Sequence, residues 1–284
     1  MSEAKDIKEY FEIAKELTLK AGEVIKIAFN VEKSFQLKTR INDLITEYDK
    51  KVENILIGEL SKKFPNHKFI GEESVDDQIP ELTDDPTWII DPIDGTTNFI
   101  HSYPESCISL ALTICKELVI GIIYNPVNGD LYTAKKNEGS FLNGIKIKTS
   151  PSTELKTSLV STDPGLFHDG LKNRDLFVER LKAFATTTHG IRSNGSAALS
   201  LSYVARGIID IYQMQLLKPW DVAAGTLIVQ EAGGVLTDAK GQPFNIMQSQ
   251  QGILATSNYQ LHEKTIKLII DTDLQTQRKR LKRT

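Results

Sequence analysis

The stretch WIIDPIDGTTN, residues 88–98, decides how the middle of this chain folds. It opens with three large apolar residues that favour a β-strand, and the apolar run ends abruptly at Asp91. Pro92 and Gly95 then turn the backbone away from the strand, because proline lacks an N–H donor and glycine adopts turn conformations easily. The sequence therefore predicts a strand that leads directly into a polar turn.

Two aspartates in this turn, Asp91 and Asp94, are separated by two residues and can converge on one ion. The main-chain carbonyl of Ile93 would complete a set of hard oxygen ligands, which suits Mg²⁺. Gly95 allows close approach of the backbone, and either of the next two threonines can cap a helix whose N–H groups would face a phosphate. The alternative is an ordinary acidic turn, since Asp, Pro and Gly are common turn residues.

Other carboxylates also stand next to apolar runs. Glu72 and Glu73 follow the β-like pair Phe69 and Ile70, at the predicted end of a neighbouring strand. Asp221 comes just before a helix that is apolar almost all round and is therefore predicted to be buried. Both have simpler interpretations, because paired glutamates are usually surface charge and an aspartate before a helix is often its N-cap.

The remaining periodicity predicts an α+β protein built in layers. Apolar residues at three- and four-residue steps predict helices over residues 4–29 and 42–63. Short apolar runs broken by turn residues predict a sheet with hairpins between about residues 68 and 160, and the loop at 151–154 is the expected seam between two halves. Further helices are predicted for residues 172–184, residues 196–207 and DVAAGTLIVQEAGG, and a strand for GIIDIYQM.

Bulk properties narrow the class of protein. The 284 residues carry a formal net charge of -3, which gives no overall positive field for nucleic acid or acidic membranes. The charged start and the shortness of every apolar run predict a cytoplasmic protein without a secretion signal or membrane span. Cys107 and Cys115 are predicted to be buried free thiols. The basic run at 278–283 is predicted to be a solvated helix end or frayed tail, with a partner contact as the alternative.

Four segments, in this order and spacing, resemble the inositol monophosphatase family. They are GEES at 71–74, WIIDPIDGTTNF at 88–99, HGIRSNGSAAL at 189–199 and PWDVAAG at 219–225. The resemblance extends from about residue 5 to 270 and implies a layered αβαβα sandwich of the inositol monophosphatase and fructose-1,6-bisphosphatase type. It also implies one phosphatase domain of two packed halves, about 1–150 and 151–270, a homodimer, and inhibition by lithium.

The family pattern implies two or three Mg²⁺ ions in one active site. Glu72, Asp91 and the carbonyl of Ile93 would be ligands of one ion. Asp91, Asp94 and Asp221 would be ligands of a second, so that Asp91 bridges the two. Without metal these carboxylates would repel one another, and we therefore expect raised pKa values in the metal-free protein.

The same resemblance implies the catalytic and substrate contacts. The hydroxyl of Thr96, paired with Asp49, would help to activate the attacking water together with Glu72, and the backbone of Gly95 and Thr96 would hold phosphate oxygens. The implied substrate contacts are Glu72, Ile93, Asp94, Gly95, Thr96, Gly195, Ser196, Ala197, Gln213 and Asp221.

Gln213 is a departure from the family pattern, which usually has a glutamate about eight residues before the aspartate of PWD. A carboxylate accepts hydrogen bonds from vicinal hydroxyls with charge assistance, whereas glutamine is neutral and brings donors of its own. Lys218 is also unusual beside an acidic site. It is either a solvated loop charge or a group that favours a substrate with a second negative charge.

The predicted function is therefore Mg²⁺-dependent hydrolysis of a small phosphate monoester by metal-activated water, with inositol 1-phosphate as the leading substrate. Within the enzyme class the alternatives are other sugar or polyol phosphates, nucleotide 3'-phosphates and fructose 1,6-bisphosphate. Outside it, the alternative is a non-catalytic metal- or phosphoinositide-binding module. No nucleic-acid or membrane partner is predicted.

Overall fold

The computed structural model describes residues 2–37, 44–75, 78–164 and 174–281. Within these ranges, seven α-helices and fourteen β-strands form five stacked layers. A two-stranded antiparallel hairpin, β1 (Phe35–Leu37) and β2 (Leu44–Thr46), lies outside the two large sheets.

The first helical layer consists of α1 (Ser2–Ala28) and α2 (Glu47–Lys63), which pack on a seven-stranded sheet. In spatial order this sheet contains β3 (Lys68–Gly71), β4 (Thr87–Asp94), β5 (Cys107–Ile114), β6 (Glu117–Asn125), β7 (Asp130–Lys135), β8 (Gly139–Leu142) and β9 (Ile145–Ile147). The β3–β4 pair is parallel and the other pairs are antiparallel. A short helix, α3 (Thr96–Ile100), follows β4.

From β10 onward the chain adds a five-stranded mixed sheet and four helices. In chain order its elements are β10 (Leu159–Ser161), α4 (Arg174–Thr187), β11 (Gly190–Arg192), α5 (Ala197–Arg206), β12 (Ile211–Met214), α6 (Pro219–Glu231), β13 (Val235–Thr237), β14 (Ile253–Thr256) and α7 (Tyr259–Leu281). The strand order in space is β11-β10-β12-β14-β13. Helices α5 and α6 lie between the two sheets, and α4 and α7 cover the outer face of the smaller one. The predicted αβαβα sandwich is confirmed.

Burial explains why α6 is apolar all round. Ten of the residues of α6, including Trp220 and Leu227, are buried, because the helix has a sheet on each side. Helix α5 begins at Ser196, whose side chain accepts from the N–H of Leu199, and ends at Gly207 in the left-handed conformation. The predicted helices over 4–29 and 196–207 are confirmed within one or two residues.

The helix predicted over 42–63 is wrong at its start. Leu44–Thr46 form β2, and α2 begins only at Glu47. Thr46 sets this boundary, because its side chain and backbone exchange hydrogen bonds with the first turn through Asp49 in a capping box. Residues 42 and 43 lie outside the described ranges.

Two smaller predictions are also corrected, and the predicted helix end of the basic run is confirmed as far as Leu281. Cys115 is exposed in the β5–β6 turn, and only Cys107 is buried. GIIDIYQM forms a strand only over its last four residues, β12. The basic run is the end of α7 as far as Leu281, and two of its side chains pair with α4, Lys279 with Glu179 and Arg280 with Asp175. Residues 172, 173, 282 and 283 lie outside the described ranges, and the division into two halves stays a prediction.

Candidate active site

Strand pairing brings Glu72 next to the aspartates. Strands β3 and β4 run parallel with Gly71 opposite Ile90, and the N–H of Glu72 donates to the carbonyl of Ile90 at 3.1 Å. The residue after β3 therefore meets the stretch of β4 that carries Asp91. The predicted presentation of a glutamate at the end of a neighbouring strand is confirmed.

Strand β4 does not end at Asp91 as predicted but continues to Asp94. The register against β5 shifts between these two residues, which are paired with Ser109 and Cys107 respectively. This irregularity accommodates Pro92 inside a strand, since proline is found at bulges in sheets. Both aspartates are buried, with 2% and 8% of their surface exposed.

The turn after β4 depends on Gly95. Its φ is 87°, and a Cβ added there would lie 2.7 Å from the backbone oxygen of Glu105. Gly95 is the N-cap of α3 and supplies no side-chain cap, which corrects the prediction that a threonine caps this helix. The hydroxyl of Thr96 instead donates to the carbonyl of Ile93 at 3.0 Å.

Asp94 is bound to the start of α5. Its carboxylate accepts from the Ser196 hydroxyl at 2.6 Å, the Ala198 N–H at 2.7 Å and the Ala197 N–H at 3.4 Å. Of the three predicted substrate contacts at residues 195–197, Ser196 and Ala197 thus donate to Asp94. The thiol of Cys107 lies 3.9 Å from the same carboxylate.

Asp221 enters the site from the first turn of α6. It is not the N-cap, as the simpler interpretation would have it, because Lys218 occupies that position and donates its N–H to the Asp221 carboxylate at 2.6 Å. Ser109 of β5 donates to the carbonyl of Trp220 at 3.0 Å and so fixes the start of this helix against the sheet.

Asp49 is 1% exposed, which rules out a solvated helix charge. Its carboxylate accepts from the N–H of Thr46 at 2.8 Å, and it is close enough to raise the pKa of Asp91. The predicted pairing of Asp49 with the Thr96 hydroxyl stays a prediction.

Two small cavities meet at these residues. The first measures about 170 Å³ and is lined by Leu44, Glu72, Asp91, Ile93, Asp94, Gly95, Thr96, Thr97, Gly195 and Asp221. The second measures about 160 Å³ and shares Asp94, Gly195 and Asp221 with the first; its other walls include Ser161, Asn194, Ser196, Ala197, Ser200 and Tyr212. Ten of the twelve predicted site residues line one of these cavities, and the other two are Asp49 and Gln213.

Gln213 is buried on β12, with 4% of its surface exposed, and its Nε2 has no hydrogen-bond partner among the described residues. It borders a small space that shares Thr162, Asp163 and Met214 with the second cavity, and it does not line the second cavity itself. Lys218 is exposed, and its charge lowers the otherwise raised pKa of Asp221. The substrate contact of Gln213 stays a prediction.

The sequence interpretation missed Asn98, which joins the two halves of the site. Its side-chain amide donates to the carbonyl oxygens of Glu105 and Asn194, each at 2.7 Å. It belongs to the quoted stretch 88–98, but nothing in its local sequence distinguishes it from a turn asparagine.

Burial and mutual repulsion disfavour the charged forms of the aspartates Asp91, Asp94 and Asp221. Burial raises the pKa of Asp91 well above its usual range, and Glu72, Asp94 and Asp221 raise it further. Burial also raises the pKa of Asp94 to about 6, although the hydrogen bonds from Ser196 and Ala198 oppose the shift. The pKa of Asp221 is raised by burial and by the charges of Asp94 and Glu72. The expected rise in pKa is found for the three aspartates, Asp91, Asp94 and Asp221.

The donor set suits a hard divalent cation. Four carboxylates and a strand carbonyl face one cavity, and oxygen ligands of this kind are those that Mg²⁺ prefers. Among the described residues, no group of three or more acidic, histidine or cysteine side chains is arranged so that it could hold a metal ion. Asp94 and Asp221 accept hydrogen bonds from protein donors, which orients these carboxylates and leaves further acceptor positions on them for an ion.

Fold and site together define a class of protein: a layered α/β/α/β/α enzyme with an acidic, oxygen-lined cavity where its two sheets meet the starts of α5 and α6. Residues 6–272 match the model of the inositol monophosphatase family.

Individual relatives agree over nearly the whole chain. Human inositol monophosphatase 1 is 41% identical over 262 residues, covering 92% of this chain and 94% of that protein. Inositol monophosphatase 3 of Solanum lycopersicum is 39% identical over 271 residues, covering 95% and 99%. The crystal structure of the extragenic suppressor protein suhB from Bartonella henselae superposes with a TM-score of 0.84 at 32% identity, covering 92% and 98%.

This chain belongs to the inositol monophosphatase family. It is accordingly a phosphoric monoester hydrolase of a family that depends on Mg²⁺. None of the helices in the described ranges is both long enough and apolar enough to cross a lipid bilayer.

Proposed function

We propose that this chain hydrolyses inositol 1-phosphate to inositol and phosphate. The observation that supports this most directly is the first cavity, in which Glu72, Asp91, Asp94 and Asp221 face the Gly95–Thr96 backbone. These positions carry the family motifs, and the relatives with 39–41% identity are named inositol monophosphatases.

The carboxylates would hold two Mg²⁺ ions. Glu72, Asp91 and the Ile93 carbonyl would bind one, Asp91, Asp94 and Asp221 would bind a second, and a third ion is the upper number we propose. Bound Mg²⁺ supplies charge neutralisation and lowers the pKa of water. Titration calorimetry of the purified protein with MgCl₂ measures the number of ions.

The protein's own groups have separable tasks in this proposal. The N–H groups of Gly95 and Thr96 bind and orient phosphate oxygens at the end of β4. The Thr96 hydroxyl, which donates to the carbonyl of Ile93, would turn to hold the attacking water together with Asp49 and Glu72. Asp94, Asp221 and the start of α5 would orient the alcohol portion.

The second cavity supports a small polyol as the alcohol. Hydroxyl and amide groups of Ser161, Asn194, Ser200 and Tyr212 lie along its walls, and polar groups of this kind fix the orientation of a hydroxylated ligand. Its volume of about 160 Å³ is below that of sites for drug-sized ligands, which measure roughly 300–1,000 Å³. This favours one sugar-sized ring over a nucleotide.

The deciding experiment is phosphate release from a substrate panel in the presence of Mg²⁺. We expect kcat/KM for inositol 1-phosphate to exceed that for a nucleotide 3'-phosphate and for fructose 1,6-bisphosphate by about tenfold or more. Activity should vanish with EDTA and be inhibited by lithium. A preference for either of the other substrates would overturn the inositol assignment, and inactivity on the whole panel would overturn the phosphatase assignment.

We also propose that the chain forms a homodimer, as the family resemblance implies. Light scattering after size exclusion measures the mass directly. A dimer should have twice the monomer mass of 31.7 kDa, and a single monomer peak at micromolar concentration would contradict the proposal.

A further inference from the structure

Helix α2 buries two carboxylates on one face. Asp49 and Glu53 are four residues apart, which places them on the same side of a helix, and they are only 1% and 4% exposed. Burying a carboxylate is costly unless it is bound by donors, and the other buried members of this face, Val52 and Leu56, show that apolar residues also fit here. Packing alone therefore does not explain why a carboxylate is buried at position 53.

The carboxylate of Glu53 holds the turn that carries Glu72. Its Oε2 accepts from the N–H of Glu73 at 2.9 Å. On the other side of Glu72, the N–H of Glu72 itself donates to Ile90 of β4 at 3.1 Å. The two peptide groups that flank the Cα of Glu72 are thus fixed, one to the sheet and the other to α2.

Gly71 makes room for this contact. A Cβ at position 71 would lie 2.5 Å from Oε2 and 2.6 Å from Cδ of Glu53, closer than real Cβ contacts. Because Gly71 has no side chain, the Glu53 carboxylate lies directly against the backbone at the end of β3. The close approach and the hydrogen bond to Glu73 are two independent signs that the turn is built around Glu53.

We propose that Glu53 is a positioning residue for Mg²⁺ binding, which acts by fixing the backbone of Glu72 through the N–H of Glu73. This inference rests on the proposed role of Glu72 as a metal ligand. Groups that orient a ligand typically change metal affinity by about 10–100-fold when they are removed. The effect of Glu53 should therefore appear in Mg²⁺ affinity.

The test measures the Mg²⁺ dissociation constant by calorimetry, together with urea unfolding in EDTA, for a set of variants of the full chain. Glu53→Ala removes the acceptor, and Glu53→Asp keeps the charge but shortens its reach. Both should weaken Mg²⁺ binding about tenfold or more. Glu53→Gln keeps an acceptor oxygen for Glu73, and its affinity should stay within about threefold of wild type. Glu59→Gln, on the exposed side of the same helix, is the matched control.

Gly71→Ala provides a second route to the same outcome. The added methyl group should displace the Glu53 carboxylate and weaken Mg²⁺ binding as Glu53→Ala does. In the Glu53→Ala background it should add little, because the two changes interrupt one contact and cannot be additive. If Glu53→Ala fails to fold, the same double-mutant comparison can be made with Gly71→Ala and Glu53→Asp.

Two results would overturn the inference. A loss of urea stability in Glu53→Ala or Glu53→Asp with unchanged Mg²⁺ affinity would show a structural role alone. An equally large loss of affinity in Glu53→Gln would show that the charge of Glu53 matters and not its hydrogen bond. Failure of the proposed function is distinguishable, because wild-type protein would then bind Mg²⁺ without releasing phosphate from the substrate panel.

Discussion

Two effects act in opposite directions on the Asp94 carboxylate of the metal-free protein: hydrogen bonding favours its charged form, and burial disfavours it. Its carboxylate caps α5 through Ser196 and Ala198, which favours the charged form, while burial raises its pKa to about 6. The hydrogen bonds fix where the carboxylate lies, and the unfavourable burial of its charge is what a bound cation would relieve.

Asp94→Asn separates the two effects, because it keeps a hydrogen-bond acceptor and removes the negative charge. The amide oxygen can still accept from α5, so the unfolding free energy without Mg²⁺ should be equal to or higher than that of wild type at pH 7.5. The lost charge should lower kcat/KM for phosphate release by about 100-fold or more. Steady-state kinetics and urea unfolding check both, with Asp85→Asn, an exposed aspartate paired with Lys68, as control. Unchanged activity would contradict the proposed site.

His262 should make the stability of the outer layer sensitive to acid. It is 2% exposed, and its ring nitrogens lie 2.9 Å from the Thr237 hydroxyl and 2.8 Å from the Thr256 hydroxyl. Burial lowers its pKa from 6.5 to about 4, although the charge of Glu263 opposes the shift. The unfolded chain therefore takes up a proton that the folded chain excludes, and stability falls as the pH drops from about 6.5 towards 4.

His262 should lower the free energy of unfolding by about 2 kcal/mol between pH 7 and pH 5. Urea unfolding in EDTA should show this amount as the difference between the pH dependence of wild type and that of His262→Gln. The substitution should lower stability at pH 7 but remove this part of the slope. Parallel curves for the two proteins would show that His262 does not carry the acid sensitivity.

At the scale of elements, side chains that join one element to another build both the site and the outer layer. Asp94 joins β4 to α5, Ser109 joins β5 to α6, and Asn98 joins α3 to the loop before α5. On the far side of the smaller sheet, Arg180 of α4 makes two hydrogen bonds with Asp273 of α7, and the Arg180 side chain is only 6% exposed.

Asp273→Ala should weaken the packing of α7 on α4. The substitution removes the carboxylate that pairs with the buried guanidinium of Arg180, whose Nη1 has no hydrogen-bond partner within the described ranges. Removing one member of a buried pair costs about 3–5 kcal/mol. Urea unfolding should show this loss, while Mg²⁺ affinity and phosphate release stay unchanged. Glu179→Ala, which removes only exposed pairs with Lys182 and Lys279, should cost less than about 1 kcal/mol. Equal costs for the two variants would contradict the difference in burial.

At the scale of the whole molecule, the active site lies where the large sheet meets the starts of the central helices α5 and α6. Carboxylates from β4, the end of β3 and α6 come together there and destabilise the folded protein while they are charged and metal-free. Binding of Mg²⁺ to the folded state alone should therefore stabilise the entire domain.

We expect Mg²⁺ at 100 times its dissociation constant to add about 2.7 kcal/mol of stability, which corresponds to a rise in Tm of about 5 °C or more. Because the folded-state pKa of Asp94 is raised to about 6, its carboxylate is charged above that pH and protonated below it. The increase in Tm should be complete at pH 7.5 and become smaller as the pH falls below 6. Thermal scans with and without Mg²⁺ measure this increase, and its absence at pH 7.5 would contradict the metal site.

The sequence by itself determined the local features. Three features could be identified because each depends on a few neighbouring residues: the apolar run into DPIDG, the amphipathic pattern of α1 and the apolar α6 that follows Asp221. The choice of Glu72 over Glu73 came from the family resemblance. The same short range explains the errors: β2 was included in a helix, and β4 was expected to end at Asp91, since neither strand pairing nor a register shift is visible in local sequence.

Only the tertiary structure decided which groups meet. The parallel pairing of β3 with β4 brings Glu72 to Asp91, the carboxylate of Asp94 occupies the start of α5, and Gln213 borders a space next to the second cavity instead of lining it. The burial of Glu53 against Gly71 belongs to the same group, as its four-residue spacing from Asp49 was the only signal in the sequence. The contact of Glu72 with Ile90 joins residues 18 positions apart and that of Asp94 with Ala198 joins residues 104 positions apart, so packing of the layers, not local preference, determines them.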